Sequence, residues 1–406
     1  MLEIIVPTIV VTAITLLLAA LVLAARRWLT PVESVDIRIN HRRTVQATAG
    51  QKLLRALDAN GIYLPAACGG RGSCGQCRIR VEHDAGRLLA IEASHISRSE
   101  AARGTRLACL LTLRDDLEIA VPEDLLDARR WLCRVESNES VTPFLKRIVL
   151  RLPDDDVIEF EAGDYVLIEA PPHNVRFDAF DLPPPHREIW RRHRLLELRS
   201  ETSIAVTRAY SIANAPQDDR HVVLVVRIAV PPGHAPPGTP PGQASSYIFS
   251  LKAGDEILVS GPFGEFHAQP TRNEMVLIAG GAGIAPIRSI VLDQLARGTG
   301  RRVSLWYGVR DPDELCFDAE FRALAEQHPS FSYHAAVSDA RADSGWSGDI
   351  GLIHSVVHER YLKAHAAPED VEYYLCGPPV MSAAVIDMLE SLGVDDSNIW
   401  LDDFGA

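Results

Sequence analysis

The chain has 406 residues, of which 47% are hydrophobic and 23% charged, a composition typical of globular proteins and long enough for two or three domains. Its formal net charge of −13 argues against nucleic acid as the main partner, because phosphate binding needs a basic face. Seven cysteines, an odd number in a chain of this size, argue against a disulfide framework and favour thiolates bound to a metal cluster in a reducing compartment.

An uncharged apolar run opens the chain. It covers Ile4–Ala25, 22 residues that are enough to cross the hydrocarbon of a bilayer as a helix. Arg26 and Arg27 follow it, and positive charge on this flank predicts that the flank faces the cytoplasm. A cleaved signal peptide would carry its charge before the run and a small-residue cleavage site after it, and neither is clear. We therefore expect residues 1–30 to be an uncleaved transmembrane anchor.

Residues 31–128 contain a glycine-rich loop with three cysteines, and a fourth cysteine follows after a gap of 31 residues. Glycines allow backbone N–H groups to approach bridging sulfides closely. One C-x₂-C pair with a distant fourth cysteine is the plant-type ferredoxin pattern, although the first gap here is five residues instead of four. The alternatives are buried free thiols or a zinc site, which more often pairs two such knuckles. The pattern favours a [2Fe–2S] cluster, and its predicted ligands are Cys68, Cys74, Cys77 and Cys109.

Residues 129–268 contain short strand-like runs separated by Gly, Pro and Asp, which predict a small antiparallel barrel. Two stretches interrupt them. Residues 171–203 include a basic, helical-looking piece, and residues 231–241 form a proline-rich loop that cannot join a ladder. A charge run of this kind is more typical of a solvated helix face than of a binding patch.

Two short motifs in this region suit a flavin diphosphate. The first, R-A-Y-S, offers a cation for the phosphates, a ring that can lie against the isoalloxazine and a hydroxyl for its reactive nitrogen. The second, G-Q-A-S-S, offers backbone and hydroxyl donors. A strand with surface Arg and Tyr side chains is the alternative, which short motifs leave open. The candidate FAD-binding residues are Arg208, Tyr210, Ser211, Gly242, Gln243, Ser245 and Ser246.

Residues 269–406 alternate strand and helix patterns, which predicts a parallel, doubly wound sheet. The first strand runs into G-G-A-G-I-A-P, where glycines let the backbone approach a pyrophosphate at a helix N-terminus and a proline suits the first helical turn. A later strand runs into C-G-P-P, at the sheet edge where ligands bind, although a packed cysteine would also fit there. Asp339 follows another strand and disfavours a 2′-phosphate, so NADH is preferred over NADPH. The candidate NADH-binding residues are Gly281, Gly283, Pro286, Cys376 and Gly377.

These features occur in an order that closely resembles the F subunits of the bacterial Na⁺-translocating NADH:quinone oxidoreductases, over essentially the whole chain. The resemblance includes the five-residue cysteine gap, the 171–203 insertion and the terminal L-D-D-F-G. It implies an α+β multi-domain protein. The expected parts are a transmembrane helix at 1–30, a β-grasp ferredoxin domain at 31–128, an antiparallel FAD-binding β-barrel at 129–268 and a doubly wound α/β NADH-binding domain at 269–406.

The resemblance also implies roles for single residues and for the whole chain. Ser211, Cys376 and Phe404 would act at the reacting rings, with Phe404 covering the isoalloxazine until the nicotinamide displaces it. Electrons would pass from NADH to FAD, then to a [2Fe–2S] cluster, and on to partner subunits of a six-subunit complex that reduces quinone and moves Na⁺. The chain would sit in the bacterial inner membrane as a single-pass protein, embedded through residues 4–25, with its catalytic domains in the cytoplasm.

Two other functions compete with this one. A reductase that feeds an oxygenase has the same three modules, but it needs neither the apolar anchor nor the 171–203 insertion. A membrane-anchored electron carrier with a decayed nucleotide domain would not be expected to keep the glycine-rich loop, Cys376-Gly377-Pro378 and Phe404.

Overall fold

The computed structural model describes residues 12–21, 34–83, 85–232, 235–236, 238–340 and 345–403. The chain divides into two compact units. The first comprises the described residues up to Leu64 together with Cys77–Glu123, and the second comprises Pro65–Gln76 together with the described residues from Asp124 onwards. The predicted cysteine loop is thus divided, since the part up to Gln76 packs with the second unit.

The first unit contains a mixed five-stranded sheet in the order β2-β1-β5-β3-β4, in which β5 runs parallel to β1 and the other neighbours are antiparallel. Every second residue of β1 is buried, as the alternation from Val35 predicts. This topology is that of the expected β-grasp. The elements are β1 (Ser34–Ile39), β2 (Arg43–Thr48), α2 (Leu53–Ala59), β3 (Arg78–Val81), α3 (Arg98–Ala102), β4 (Thr105–Leu107) and β5 (Leu117–Ala120).

The predicted transmembrane span, Ile4–Ala25, is described only in part. Residues 12–21 form helix α1, and the rest of the span lies outside the described residues. Within the part of the chain that the structure describes, no helix has both the length and the apolar character needed to cross a bilayer.

The flavin-type region is a six-stranded antiparallel sheet in the order β11-β8-β13-β6-β7-β12. Its edge strands meet through the isolated bridge Ile212–Leu224 and not through a continuous ladder, so this sheet is a half-barrel where the sequence predicts a barrel. The elements are α4 (Glu123–Leu126), β6 (Arg129–Ser140), β7 (Leu145–Arg151), β8 (Tyr165–Ala170), β11 (Val206–Ser211), β12 (His221–Arg227), α6 (Gln243–Ser250) and β13 (Glu256–Phe263).

The 171–203 insertion folds onto this sheet. Strands β9 (His173–Arg176) and β10 (Arg199–Thr202) pair antiparallel, and α5 (Pro184–Arg192) lies between them in the chain. The Trp190 side chain of α5 is fully buried, and its Nε1 donates a hydrogen bond to the carbonyl of Pro143 at 2.6 Å. The arginines that follow Trp190 are exposed, as expected for a solvated helix face.

The C-terminal region is a six-stranded parallel sheet in the order β17-β16-β15-β14-β18-β19. Val276 and Ile278 of β14 pack with α9 and α10, whereas Leu277 and Ala279 pack with α7 and α8, so helices cover both faces. The sequence predicts five of these strands, and the sixth, β17, has only two residues. The elements are β14 (Met275–Gly280), α7 (Ile284–Ala296), β15 (Val303–Val309), α8 (Asp318–Gln327), β16 (Phe331–Val337), β17 (Asp349–Ile350), α9 (Ile353–Arg360), β18 (Glu372–Cys376), α10 (Pro379–Ser391) and β19 (Ile399–Asp402).

Candidate functional site

The parallel sheet reverses its strand order at β14. The chain moves from β14 to β15 on one side and later returns to place β18 on the other. Ligands of doubly wound sheets bind at the carboxyl ends of the strands beside such a switch point. The glycine-rich loop follows β14 and the C-G-P-P motif follows β18, so both predicted nucleotide motifs lie at this point.

The two motifs pack directly on each other. A Cβ atom added to Gly283 would lie 2.1 Å from the carbonyl oxygen of Cys376 and 2.8 Å from the nitrogen of Gly377. Gly281 has φ +55°, a conformation that favours glycine, and Pro286 is in the first turn of α7. The structure therefore brings together the five predicted NADH-binding residues.

A cavity of about 360 Å³ opens beside these motifs. It is lined by Gly280, Gly281, Pro378 and Met381, together with Arg227 from β12 of the flavin-type sheet. Burial lowers the pKa of Arg227, and the neighbouring charge of Arg310 lowers it further. A cationic, glycine-lined cleft at a helix N-terminus is suited to a pyrophosphate.

The flavin motifs lie on neighbouring elements of the half-barrel. Arg208, Tyr210 and Ser211 are on β11, and α6, which begins after Gly242, packs against that strand. A Cβ atom on Gly242 would lie 2.6 Å from the Ala229 side chain, so only glycine fits there.

The predicted hydroxyl donors at the start of α6 bond to the backbone in this structure. Ser245 and Ser246 both donate to the carbonyl of Gly242, at 3.2 and 2.6 Å, and Gln243 donates to the carbonyl of Glu201 at 3.3 Å. Backbone N–H groups of the first turn of a helix have no partner within the helix, so they are the remaining anion-binding donors here.

The two sheets converge at Asp402, the last residue of β19. Ser211 Oγ donates a hydrogen bond to Asp402 Oδ2 at 3.1 Å, and Cys376 Sγ lies 3.9 Å from the same oxygen. Burial raises the pKa of Asp402 to about 6, and burial also raises the pKa of Cys376 well above its ordinary value. Residues of the flavin motif and of the nicotinamide motif thus share one carboxylate.

The loop Pro65–Gln76 carries two of the four predicted cluster ligands. Cys74 Sγ donates to Cys68 Sγ at 3.4 Å, and this hydrogen bond lowers the pKa of Cys68 to about 3. The backbone N–H of Arg71 also donates to Cys68 Sγ, at 3.3 Å. The loop's four glycines all adopt the left-handed conformation, and they are Gly69, Gly70, Gly72 and Gly75. Adjacent thiols with backbone donors directed at sulfur fit the thiolate environment of an iron–sulfur cluster.

The other two predicted ligands lie in the first unit. Cys77 directly precedes β3 and Cys109 follows β4, and both are buried. The N–H of Ala108 donates to the carbonyl of Cys77 at 2.9 Å, which brings the two chain segments together. Cys133, Cys316 and Cys376 are buried elsewhere.

Asp402 and Arg227 are two residues of this site that the sequence does not predict. Asp402 ends β19, but nothing in the sequence indicates that it faces Ser211 and Cys376. Arg227 ends a strand of one sheet and lines the cavity of another, which no local pattern reveals. Phe404 lies outside the described residues, so its predicted role stays a prediction.

Three family models match the chain. The 2Fe-2S iron-sulfur cluster binding domain matches residues 37–114, the oxidoreductase FAD-binding domain residues 172–268 and the oxidoreductase NAD-binding domain residues 277–387. Each match includes sequence motifs that predict the same cofactor. The chain therefore has domains for a [2Fe–2S] cluster, FAD and NADH.

Among solved structures, the cytochrome P450 reductase of Amycolatopsis has a TM-score of 0.63 and 26% identity, covering 91% of this chain and 98% of that one. The ferredoxin reductase in carbazole 1,9a-dioxygenase has a TM-score of 0.60 and 25% identity, covering 92% and 99%. Both likenesses support a ferredoxin-reductase-type fold.

Curated relatives have a higher sequence identity to this chain than these two solved structures. The F subunit of the Na(+)-translocating NADH-quinone reductase of Klebsiella pneumoniae is 47% identical over 100% of both chains. The F subunits of the Neisseria gonorrhoeae and Idiomarina loihiensis reductases are 45% and 46% identical, over 100% and 97% of both chains respectively. This chain therefore belongs to the family of F subunits of the Na⁺-translocating NADH-quinone reductases.

Proposed function

We propose that this chain oxidises NADH and is the electron-input subunit of a sodium-translocating NADH:quinone reductase. The observation that carries the proposal is the contact of both Ser211 and Cys376 with Asp402, because it supports hydride transfer between rings held by the R-A-Y-S and C-G-P-P motifs. When bound, FAD accepts two electrons as a hydride from NADH and releases them one at a time, as an iron–sulfur cluster requires.

Different residues of the chain bind and position the nucleotide and the flavin. The glycine-rich loop and Arg227 hold the pyrophosphate of NADH, while Cys376 and Gly377 position the nicotinamide end. The start of α6 supplies donors for the flavin diphosphate, and Tyr210 and Ser211 position the ring. Asp402 orients the Ser211 hydroxyl. Because Cys376 is buried and its pKa is raised, it remains a neutral thiol that excludes water beside the nicotinamide.

The test is NADH:quinone reduction in membranes that contain the chain, with and without added Na⁺, alongside the Cys74→Ala variant. We expect Na⁺ to stimulate quinone reduction by the parent and this stimulation to be absent in Cys74→Ala. NADH:ferricyanide reduction should persist in the variant because it needs only the flavin. If ferricyanide reduction also disappeared while FAD stayed bound, the proposed order of cofactors would be wrong.

A reductase that feeds an oxygenase is the second candidate, because the two similar solved structures carry names of that kind. The same experiment separates the two. If quinone reduction does not respond to Na⁺, or is unchanged in Cys74→Ala, the chain would still be an NADH-oxidising enzyme. That result would favour an oxygenase as its electron acceptor in place of quinone.

The remaining parts of the proposal concern organisation. The domain boundaries are 31–128, 129–268 and 269–406, and Cys68, Cys74, Cys77 and Cys109 together hold the cluster. Residues 1–30 anchor the chain in the bacterial inner membrane, beside the other subunits of a six-subunit complex, with the catalytic domains in the cytoplasm. A variant that lacks residues 1–28 should leave the membrane fraction and keep its ferricyanide activity. If it stayed with the membrane, the anchor would be wrong.

A further inference from the structure

The loop Pro65–Gln76 packs against the strands that carry the flavin motif, within one compact unit. Arg208 Nη1 of β11 donates to the carbonyl oxygen of Cys68 at 3.3 Å. A Cβ atom on Gly69 would lie 2.9 Å from the carbonyl oxygen of Thr207, so the two backbones approach more closely than any larger residue would allow. Tyr165 Oη of β8 donates to Gln76 Oε1 at 3.3 Å.

Gln76, the last residue of this loop, also bonds to its beginning. Its Oε1 accepts the backbone N–H of Ala67 at 3.1 Å as well as the Tyr165 hydroxyl. Cys68 and Cys74 both lie between Ala67 and Gln76 in the chain. One amide oxygen therefore closes the segment that carries two predicted cluster ligands and also ties it to the sheet.

Tyr165 also connects to the point where the two sheets converge. It is paired directly opposite Ser211 across the β8–β11 ladder, and directly opposite residues on neighbouring strands share a face of the sheet. Its ring packs against Phe263 with a centroid distance of 5.8 Å. Burial raises the pKa of Tyr165, so the phenol keeps its proton and remains a donor at neutral pH. Tyr165 thus connects Ser211, its partner across the ladder, to the cysteine loop.

We propose that Tyr165 and Gln76 are positioning residues that hold the cysteine loop against the flavin-binding sheet, so that Cys68 and Cys74 stay beside the strand that carries the flavin motif while electrons pass to the cluster. The inference rests on the proposed function, because it takes Cys68 and Cys74 as cluster ligands. A loop released from the sheet would spend only part of its time in the competent arrangement, and the observed rate would fall with that fraction.

The test uses the full chain with FAD and cluster bound. NADH is mixed anaerobically with the parent, Tyr165→Phe and Gln76→Leu, and two readouts are followed: bleaching of the flavin by absorbance and appearance of the reduced cluster by electron paramagnetic resonance after rapid freezing. We expect flavin bleaching at the parental rate and cluster reduction slowed by up to about fivefold for each lost hydrogen bond, because about 1 kcal/mol changes the docking equilibrium constant by that factor. Tyr165→Phe loses one of these hydrogen bonds and Gln76→Leu loses two. Iron and acid-labile sulfide contents should match the parent.

Two variants serve as controls. Tyr333→Phe removes a phenol that donates to Asp318 at 3.0 Å in the nucleotide-binding region, and it should alter neither readout. Gln76→Glu keeps an oxygen acceptor for both donors and should restore most of the cluster-reduction rate that Gln76→Leu loses.

The outcomes separate this inference from the proposed function. Cluster reduction at the parental rate in Tyr165→Phe would overturn the inference, and so would equal slowing of flavin bleaching, which would place Tyr165 in the hydride step. Because Tyr165→Phe leaves the cysteine loop's own sequence unchanged, it decides the question even if Gln76→Leu fails to assemble a cluster. If NADH did not bleach the flavin of the parent at all, the proposed function would fail instead.

Discussion

Substitution of Gly283 by alanine tests the contact between the two nucleotide motifs. The added Cβ would lie 2.1 Å from the carbonyl oxygen of Cys376, whereas ordinary van der Waals contact begins at 3.4 Å. The Cβ would be bonded directly to the backbone at the start of α7, and the oxygen belongs to the backbone at the end of β18, so neither atom can rotate away. The glycine-rich loop and the end of β18 must therefore move apart by roughly 1 Å, a misplacement that can lower an enzymatic rate by about 100-fold.

The assay is NADH:ferricyanide reduction, because it depends on the nucleotide and flavin sites alone. We expect kcat/KM for NADH to fall by about 100-fold, equivalent to about 2.7 kcal/mol, with FAD content unchanged. Gly298→Ala is the matched control, since no atom lies within 4 Å of its added Cβ and only its φ of +59° is disfavoured. That variant should lose about 1–2 kcal/mol of stability and no catalytic efficiency. A Gly283→Ala enzyme within about threefold of the parent would refute the argument from close packing.

Three further outcomes are expected. Burial raises the pKa of Asp402 from 3.8 to about 6, so the folded chain binds this proton more tightly than the unfolded chain. The free energy of unfolding should therefore fall as the pH rises through about 6. Asp402→Asn should remove this pH dependence, measured by urea denaturation at different pH values. Arg227→Met should raise the KM for NADH by about 10- to 100-fold without loss of FAD, measured by steady-state kinetics, because it removes a charge-assisted contact with phosphate. Arg301 and Glu372 form an ion pair at 2.5 Å with both side chains 2% exposed. Arg301→Met should cost about 3–5 kcal/mol in chemical denaturation, and adding Glu372→Leu should recover most of it, because the lone buried carboxylate is then gone.

Local patterns predict the elements of this chain well. The strand that runs into G-G-A-G and the one that runs into C-G-P-P are both present, and parallel pairing at a switch point is sufficient to bring their ends together. The alternation from Val35 likewise predicts the buried face of β1. In each case the pattern that predicts the element lies within one short segment of the sequence.

Contacts between distant segments were not predictable in the same way. Ser211 and Asp402 are separated by 191 residues, and their hydrogen bond depends on how two sheets pack. The half-barrel differs from the predicted barrel because closure depends on the distance between the edge strands β11 and β12, which only one bridge spans. The hydrogen bonds that the Ser245 and Ser246 hydroxyls donate to the Gly242 carbonyl also depend on local geometry that residue type does not determine.

The aromatic rings of the 171–203 insertion share a core with α6. Trp190 stacks on Phe249 of α6 at 6.1 Å between centroids, and Phe180 contacts both. Elements that share a core in this way tend to open as one cooperative unit, so the insertion and α6 should show similar hydrogen-exchange protection. If α6 holds the flavin as proposed, a protein that binds the insertion and stabilises this unit would also tighten flavin binding, because both ligands draw on the same local unfolding equilibrium. The insertion thus links the local stability of α6 to any partner that binds the insertion.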